Sequence, residues 1–296
     1  MWVIITGILA SSCSKFGHQN QSKTADRLFE TEKIPVYHTW LSAREMVYNA
    51  PVHPPAMEIP EHGFFPWAGI VSHHILTHDY MDAWFSRLAE MRKPACFYIL
   101  SPSHYGISIE PYSLTFGSWE SGFGLVKSDI NKVEKLVKQL NVNPDSRVFE
   151  FEHGVSALMP YLKKYFPDAL VVAIAVESET PLNVPMSQTL ADILKNEFDE
   201  EGRKINFLLI SSDFSHHQDL KETKRRDDFS QEYLKNPGGN SWYSVACDNR
   251  PGIYVLDRLG KKNLESCILY HTNSWEIAHQ DEDDITSYFF VYFADK

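Results

Sequence analysis

Three segments of the chain end in clusters of hydroxyl, carboxylate and imidazole groups: Ser72-His73-His74, Ser101-Pro102-Ser103-His104, and Ser211-Ser212-Asp213-Phe214-Ser215-His216-His217. Each follows an apolar run: GIV, FYIL and NFLLI. Neutral imidazole is the commonest protein metal ligand and also moves protons near neutral pH. One such histidine is usually a satisfied core or surface group. Three independent strand ends with the same residue types point to one shared metal pocket, with His73 and His104 its leading ligand candidates. His73 and His74 leave an extended segment in opposite directions, so only one of them reaches a given ion. Asp213 either orients an imidazole, as carboxylates do behind metal-bound histidines, or caps the following turn. Glu152 and His153 open a helical pattern, where Glu152 complements the helix dipole and His153 either lines the pocket or does not. Cys247, in Cys247-Asp248-Asn249-Arg250-Pro251-Gly252, sits on no obvious apolar face, and a thiolate there would bind metal or react. His53, His62 and His78 fall in loop or pre-helical sequence and are expected to be structural or solvated.

The elements that must position these groups alternate along the chain. Apolar runs at 67–71, 95–100, 169–176 and 206–210 are expected as buried strands, with late strands at 264–271 and 285–293. Between them, Asp79 is expected to cap a helix that buries Met81, Trp84, Phe85 and Leu88 along with Tyr80 and Met91. Asp129 is expected to cap another, with Val133, Leu136, Val137 and Leu140 inward. Segments 152–165 and 185–198 are also helical in pattern. Continuous apolar strands interleaved with helices indicate an α/β fold: a single domain whose central, mostly parallel sheet is covered on both faces. In such sheets ligands bind just beyond the carboxyl ends of the strands, where the three clusters fall.

Bulk composition narrows the partners. The 296 residues are 43% hydrophobic and 23% charged, ordinary values for a globular chain, and no linker divides the middle of the sequence. A net charge of −11 argues against a nucleic-acid surface. The compact basic group Lys224-Arg225-Arg226 is followed at once by Asp227-Asp228 and is expected on a solvated helix face. Four cysteines are too few for a disulfide scaffold, and Cys96 and Cys267 lie in apolar runs as small hydrophobes. Residues 1–13, MWVIITGILASSC, form an apolar run too short to span a bilayer, of signal-peptide length, with Leu9 to Cys13 similar to a lipoprotein box. The expected organisation is a lipoprotein signal segment at 1–13, a tether and Pro-rich leader at 14–60, and the α/β domain at 61–296. Export with a lipid anchor at Cys13 is the expected location, and the cytoplasm the alternative.

The ordered motifs resemble the Memo-like family, also called AmmeMemoRadiSam system protein B. Ser72-His73-His74 is similar to its Pro-His segment, Ser101 to His104 to its Pro-Ser-His segment, and Glu152-His153-Gly154 with Met159-Pro160-Tyr161 to its Glu-His-Ser helix. Ser212 to His216 is similar to its Ser-Asp-(Leu/Phe)-Ser-His segment, Cys247 to Pro251 to its Cys-Gly-Arg turn, and Tyr270 to Ser274 with Ser287-Tyr288 to its closing strands. The resemblance spans roughly residues 64–293 and implies the fold of class III extradiol ring-cleaving dioxygenases. It further implies His73 and His104 as metal ligands and Cys247 as the third, in place of the dioxygenases' glutamate. His216 would be the acid/base residue, with Asp213 beside it; His74, Glu152, His153 and His217 are pocket candidates. The implied cofactor is Fe(II) or copper, the thiolate making copper or zinc more plausible. The expected function is a metal-dependent oxidoreductase with a small-molecule substrate. The alternatives are a non-catalytic metal binder working with radical-SAM and other AmmeMemoRadiSam proteins, or a metal-assisted hydrolase. Ser72 departs from the family's Pro, Gly154 from its Ser, and Ser156 from an acidic residue.

Overall fold

The computed structural model describes residues 34–39, 56–58, 60–177, 182–238, 241–260, 263–279 and 281–296. Cys13 and the proposed signal segment, most of the tether, and His53 lie outside the described residues. The central sheet runs in the order β10 (Leu264–Asn273), β11 (Ile285–Asp295), β2 (Ala68–Val71), β8 (Asn206–Ser211), β3 (Cys96–Pro102), β7 (Leu170–Val176), β4 (Tyr112–Leu114). β9 (Phe214–Gln218) pairs separately with β11. The middle of this mixed sheet, β2-β8-β3-β7, is parallel, and the flanking pairs are antiparallel. A small second sheet joins β1 (Val36–His38), β5 (Ser118–Glu120) and β6 (Leu125–Lys127). β1 lies within the stretch expected as a tether and leader, and belongs to a compact unit of Pro35–Lys296.

Alternation along the strands feeds two apolar layers, which is why the strand sequences are apolar throughout. On β3, Tyr98 and Leu100 join one layer, with Ile70, Leu208 and Ile210; Phe97 and Ile99 join the other, with Val71, Phe207 and Leu209. The first layer is closed by α2 (Ile130–Leu140), α6 (Val184–Leu194), α8 (Leu220–Lys235) and α9 (Arg250–Gly260), the second by α1 (His78–Met91) and α5 (Met159–Tyr165). Asp129 caps α2 as expected, accepting from the Lys132 amide at 3.2 Å, and Val133, Leu136 and Val137 are buried. Thr77, not Asp79, occupies the cap of α1; Asp79 falls in the first turn and pairs with His78 at 2.6 Å. The expected helix at 152–165 is interrupted, giving α4 (His153–Ser156) after α3 (Ser146–Phe151), and then α5. Pro160, which lacks an amide donor and is favoured at a helix start, accounts for the break. Lys224, Arg225 and Arg226 lie on α8 and pair with Asp228 and Glu222 beside them, as a solvated face should. Among the described residues no helix is long and apolar enough to cross a membrane.

Candidate metal centre

Parallel pairing places Val71 beside Ser211 and Leu100 beside Ile210, so β2, β8 and β3 end side by side. The residues that follow supply the site. His73 is 3% exposed and His104 stands across from it, with ring centroids 4.8 Å apart and planes at 79°.

Hydrogen bonds fix which nitrogen of each ring faces inward. The Ser211 hydroxyl donates to the Gly154 carbonyl at 2.5 Å, which uses its one proton. The contact of 2.9 Å between Ser211 Oγ and His73 Nδ1 therefore has Nδ1–H as donor, leaving Nε2 to face the pocket. His104 Nδ1 lies 2.6 Å from Glu152 Oε1, and the His104 amide donates to Glu152 Oε2 at 2.9 Å. Glu152 is 1% exposed and also caps α4 through the Gly154 amide at 2.8 Å. Its helix-end role and its hold on His104 are thus one arrangement. Carboxylate or hydroxyl partners on the outer nitrogen are what metal-bound histidines usually have.

Asp248 completes the arrangement. Its Oδ1 accepts from the Ser212 hydroxyl at 2.8 Å and the Asp213 amide at 3.1 Å. Its Oδ2 lies 3.3 Å from His73 Nε2, 3.5 Å from His104 Nε2 and 3.9 Å from His216 Nε2. Next to it, buried Asn249 donates to the carbonyls of Leu100 and Ser211 at 2.8 and 2.9 Å and accepts from the Gly252 amide. One side chain thereby ties the ends of β3 and β8 to the start of α9. Asp213 accepts from the Ser72 hydroxyl at 2.6 Å, and its Oδ2 lies 3.7 Å from His73 Nε2. Ser72, where the resembling family has Pro, also accepts the His74 amide at 3.0 Å.

The electrostatics follow from these contacts. Burial works against charge on His104, but the Asp248 and Glu152 carboxylates outweigh it and raise its imidazole to about 10. His73 is likewise raised, burial being outweighed by Asp213 and Asp248. Burial opposes ionisation of Asp248 as well, yet His73, His104 and His216 hold it well below the ordinary carboxylate range. His153 goes the other way: burial and the two neighbouring imidazoles lower it to about 4.

The remaining candidates divide. His73, His104 and His153 each offer a donor atom within 4.8 Å of the others, a three-histidine group able to hold a metal ion. His153 stacks on His104 at 4.1 Å and 29°, and its Nδ1 is 3.2 Å from the Tyr105 hydroxyl. His216 reaches the pocket with its side chain 34% exposed. Cys247 is not a member of the three-histidine group; it bridges to Phe214 and packs against the apolar layer that holds Phe214 and Tyr233. Burial, with Asp248 adding to it, pushes its thiol up to about 12. His74 is exposed and turns to the Tyr288 hydroxyl at 2.5 Å. His217, a pocket candidate from sequence, lies outside: its side chain is 79% exposed, it pairs with Asp284 at 2.6 Å, and its φ of 53° aims it away from the strand's normal path. At Gly154, where the family has Ser, a Cβ would come within 2.3 Å of Ser101 Oγ and 3.0 Å of Glu152 Oε1. Sequence reasoning did not find Ser211 as the partner of His73, Asn249 as the anchor, or Tyr105 at the rim.

A separate cleft of about 290 Å³ runs between α8 and the corner of β10 with α10 (Ser274–Ala278), lined by Thr223, Asp227, His271 and Glu276 among others. Its buried Asp227 is engaged by the hydroxyls of Ser215 and Ser287 and by His271 Nε2 at 2.8, 2.6 and 2.8 Å.

A family model described as Memo-like protein matches residues 66–251. A MEMO1 family protein of Pyrobaculum arsenaticum is 31% identical over 262 residues, covering 88% of this chain and 90% of its own. A second, from Pyrobaculum aerophilum, is 30% identical over 60% of this chain and 63% of its own. The crystal structure of an uncharacterized Escherichia coli K12 protein superposes with a TM-score of 0.52 at 13% identity, over 76% of this chain and 98% of that one. That last likeness is one of fold.

Proposed function

We propose, on the premise that the chain belongs to the Memo-like protein family, that it is a metal-dependent oxidoreductase acting on a small organic molecule. The observation that carries this reading is the pair His73 and His104, each with its outer nitrogen engaged by Ser211 or Glu152 and its Nε2 turned to a common point. Iron(II) or copper held there would supply redox chemistry and open positions for substrate, whereas zinc would supply Lewis acidity alone. The chain's own groups do the rest. Glu152 and Ser211 keep both imidazoles in the tautomer that offers Nε2. His216, partly exposed at the rim, is placed to take a proton from an entering hydroxyl or return one. Asp213 accepts from the Ser72 hydroxyl and stands beside His73 Nε2 on the pocket side of the ring.

The test is elemental analysis of protein purified without oxygen, followed by oxygen uptake with a panel of catechols and other hydroxylated aromatics. Stoichiometric redox-active metal with substrate-dependent uptake is the expected result. Zinc alone, with esterase activity and no uptake, would overturn the oxidoreductase reading. His216→Gln should keep its metal and lose roughly 100-fold or more in turnover, the usual worth of a general acid or base. Equal turnover in that variant would remove His216 from proton transfer.

Metal affinity should depend on pH with a defined sign. In the metal-free protein His104 is protonated below about 10, and a metal binds only the neutral ring. Each proton displaced makes affinity fall about tenfold per unit of falling pH, from about pH 8 to pH 6. His153, lowered to about 4, is already neutral in that range and adds no proton. Calorimetric titration in buffers of different ionisation enthalpy counts the protons released. A pH-independent affinity with no proton release would show that His104 does not bind the ion.

A further inference from the structure

We propose that the cleft between α8 and the corner of β10 with α10 is a binding site for a short alkylammonium ion, held by Thr223, His271 and Glu276. The inference is independent of the metal reading, because none of these residues belongs to the metal centre.

The lining of the cleft divides by burial. Asp227 and Thr223 are 3% and 1% exposed, whereas Lys224, Asp228 and Glu276 are open to solvent. Asp227 is already engaged. The hydroxyls of Ser215 and Ser287 both donate to its Oδ1, and its Oδ2 lies 2.8 Å from His271 Nε2. A carboxylate can only accept, so Nε2 carries the proton and the neutral His271 ring keeps a lone pair on Nδ1. The ring is held in that orientation by Asp227 and by Phe289, on which it lies flat with centroids 4.0 Å apart and 14° between planes. Thr223 offers a second acceptor. Its hydroxyl is enclosed yet has no hydrogen-bond partner. Buried polar groups in native proteins almost always have one, so an unmet hydroxyl in the wall of a cleft marks where a ligand group docks. Glu276 offers the third: its Oε2 accepts from the Thr272 hydroxyl at 2.8 Å, which leaves Oε1.

Three acceptors call for a ligand rich in donors. A primary ammonium has three N–H donors and no acceptor. The charge balance agrees, since three carboxylates line the cleft against one lysine, and Lys224 already lies 3.6 Å from Asp228. The same balance opposes an anion. The start of α8 also reaches the cleft, but Asp219 caps it through the Glu222 amide at 2.7 Å, so a carboxylate already answers its dipole. Nor is the cleft built for a metal ion: among the described residues the group with three converging donors is His73, His104 and His153. With a volume of about 290 Å³, the cleft is just below the range of pockets that take drug-sized molecules, which suits a chain of a few carbons.

The test is calorimetric titration of the full-length protein with n-butylamine at pH 8, with butyrate and inorganic phosphate as comparison probes. Butylamine should bind at one site with a Kd of about 1 mM or tighter, within reach of so small a ligand, and neither anion should bind. Thr223→Val removes the hydroxyl and keeps the shape, so it should weaken binding at least about tenfold. Because that hydroxyl makes no bond within the protein, the same variant should resist urea as well as the wild type or better. A purely structural hydroxyl would give the reverse: lower stability and unchanged binding. His271→Phe keeps the stack on Phe289 and should also lose at least about tenfold. Glu276→Gln keeps an oxygen for Thr272 and should lose about threefold, as an exposed charge does. His73→Ala should bind butylamine as the wild type does. Unchanged affinity in Thr223→Val, which decides the matter if His271→Phe fails to fold, would overturn the assignment. Weakened binding in His73→Ala would place the amine at the metal centre and overturn it as well. Binding of butyrate or phosphate in place of butylamine, or no binding of butylamine at about 10 mM, would do the same.

Discussion

Alanine at His73 or at His104 is expected to lower affinity for a divalent metal by at least about a hundredfold, with Glu152→Gln and Ser211→Ala next at roughly 10–100-fold. The ranking follows from what each residue touches. His73 and His104 present Nε2 to the same point, so removing either takes away a donor directly. Glu152 and Ser211 touch the rings at Nδ1, away from the metal side, so removing them leaves the donors but frees the ring to turn and change tautomer. The folded structure should survive all four changes. His104→Ala leaves Glu152 buried, but the amides of His104 and Gly154 still donate to it, which limits the cost to about 1–3 kcal/mol. Metal content by mass spectrometry and unfolding midpoints of the metal-free variants measure the two effects separately. Near-stoichiometric metal in His73→Ala or His104→Ala, at a metal concentration that just saturates the wild type, would show that the ion binds elsewhere.

The site was legible in sequence to the extent that strand ends announce it. GIV, FYIL and NFLLI are apolar throughout because both faces of β2, β3 and β8 are covered, and the first polar residues after them are the pocket. His73, His104, Asp213 and His216 could be placed from that pattern alone, and the family resemblance gave the same residues. In Cys247-Asp248-Asn249 the Asp248 carboxylate reaches the imidazoles of His73 and His104, and no periodicity in so short a segment reveals that. Partners such as Ser211 and Asn249 were hidden for a related reason: their roles depend on strand register, which sets Ser211 beside Val71. The three-residue strands β4, β5 and β6 carry too little alternation to be recognised. β9 was hidden within a motif read only for its chemistry. His217 shows the converse error, since residue type suggested the pocket while a left-handed backbone sent the side chain to solvent.

Arg92→Met is expected to destabilise the fold by about 3 kcal/mol without changing metal affinity in the protein that remains folded. Arg92 sits at the end of α1, 6% exposed, at the opposite ends of the strands from the metal centre. Its Nη1 donates to the Pro66 carbonyl at 2.6 Å, and its Nη2 to the carbonyls of Lys204 and Asn206 at 3.0 and 3.2 Å. The guanidinium lies 4.7 Å from the centre of the Phe65 ring and 5.8 Å from that of Phe207. One side chain thus ties the end of α1 to the chain approaching β2 and to the junction of α7 (Glu200–Ile205) with β8. Among the described residues no carboxylate forms an ion pair with it, and burial lowers its pKa to about 10, so three carbonyl dipoles and two aromatic faces take the place of a counter-ion. Methionine keeps the apolar stem but leaves those carbonyls without their donor. Loss of roughly 3 kcal/mol corresponds to a midpoint lower by roughly 6–12 °C for a domain of this size. Arg92→Lys should recover only part of the loss, because an ammonium lacks the planar fork that reaches both Pro66 and the β8 junction. Urea unfolding of the metal-free proteins is the measurement. A methionine variant within about 1 kcal/mol of wild type would mean that water satisfies the three carbonyls, and that the guanidinium fills space there rather than joining the strands.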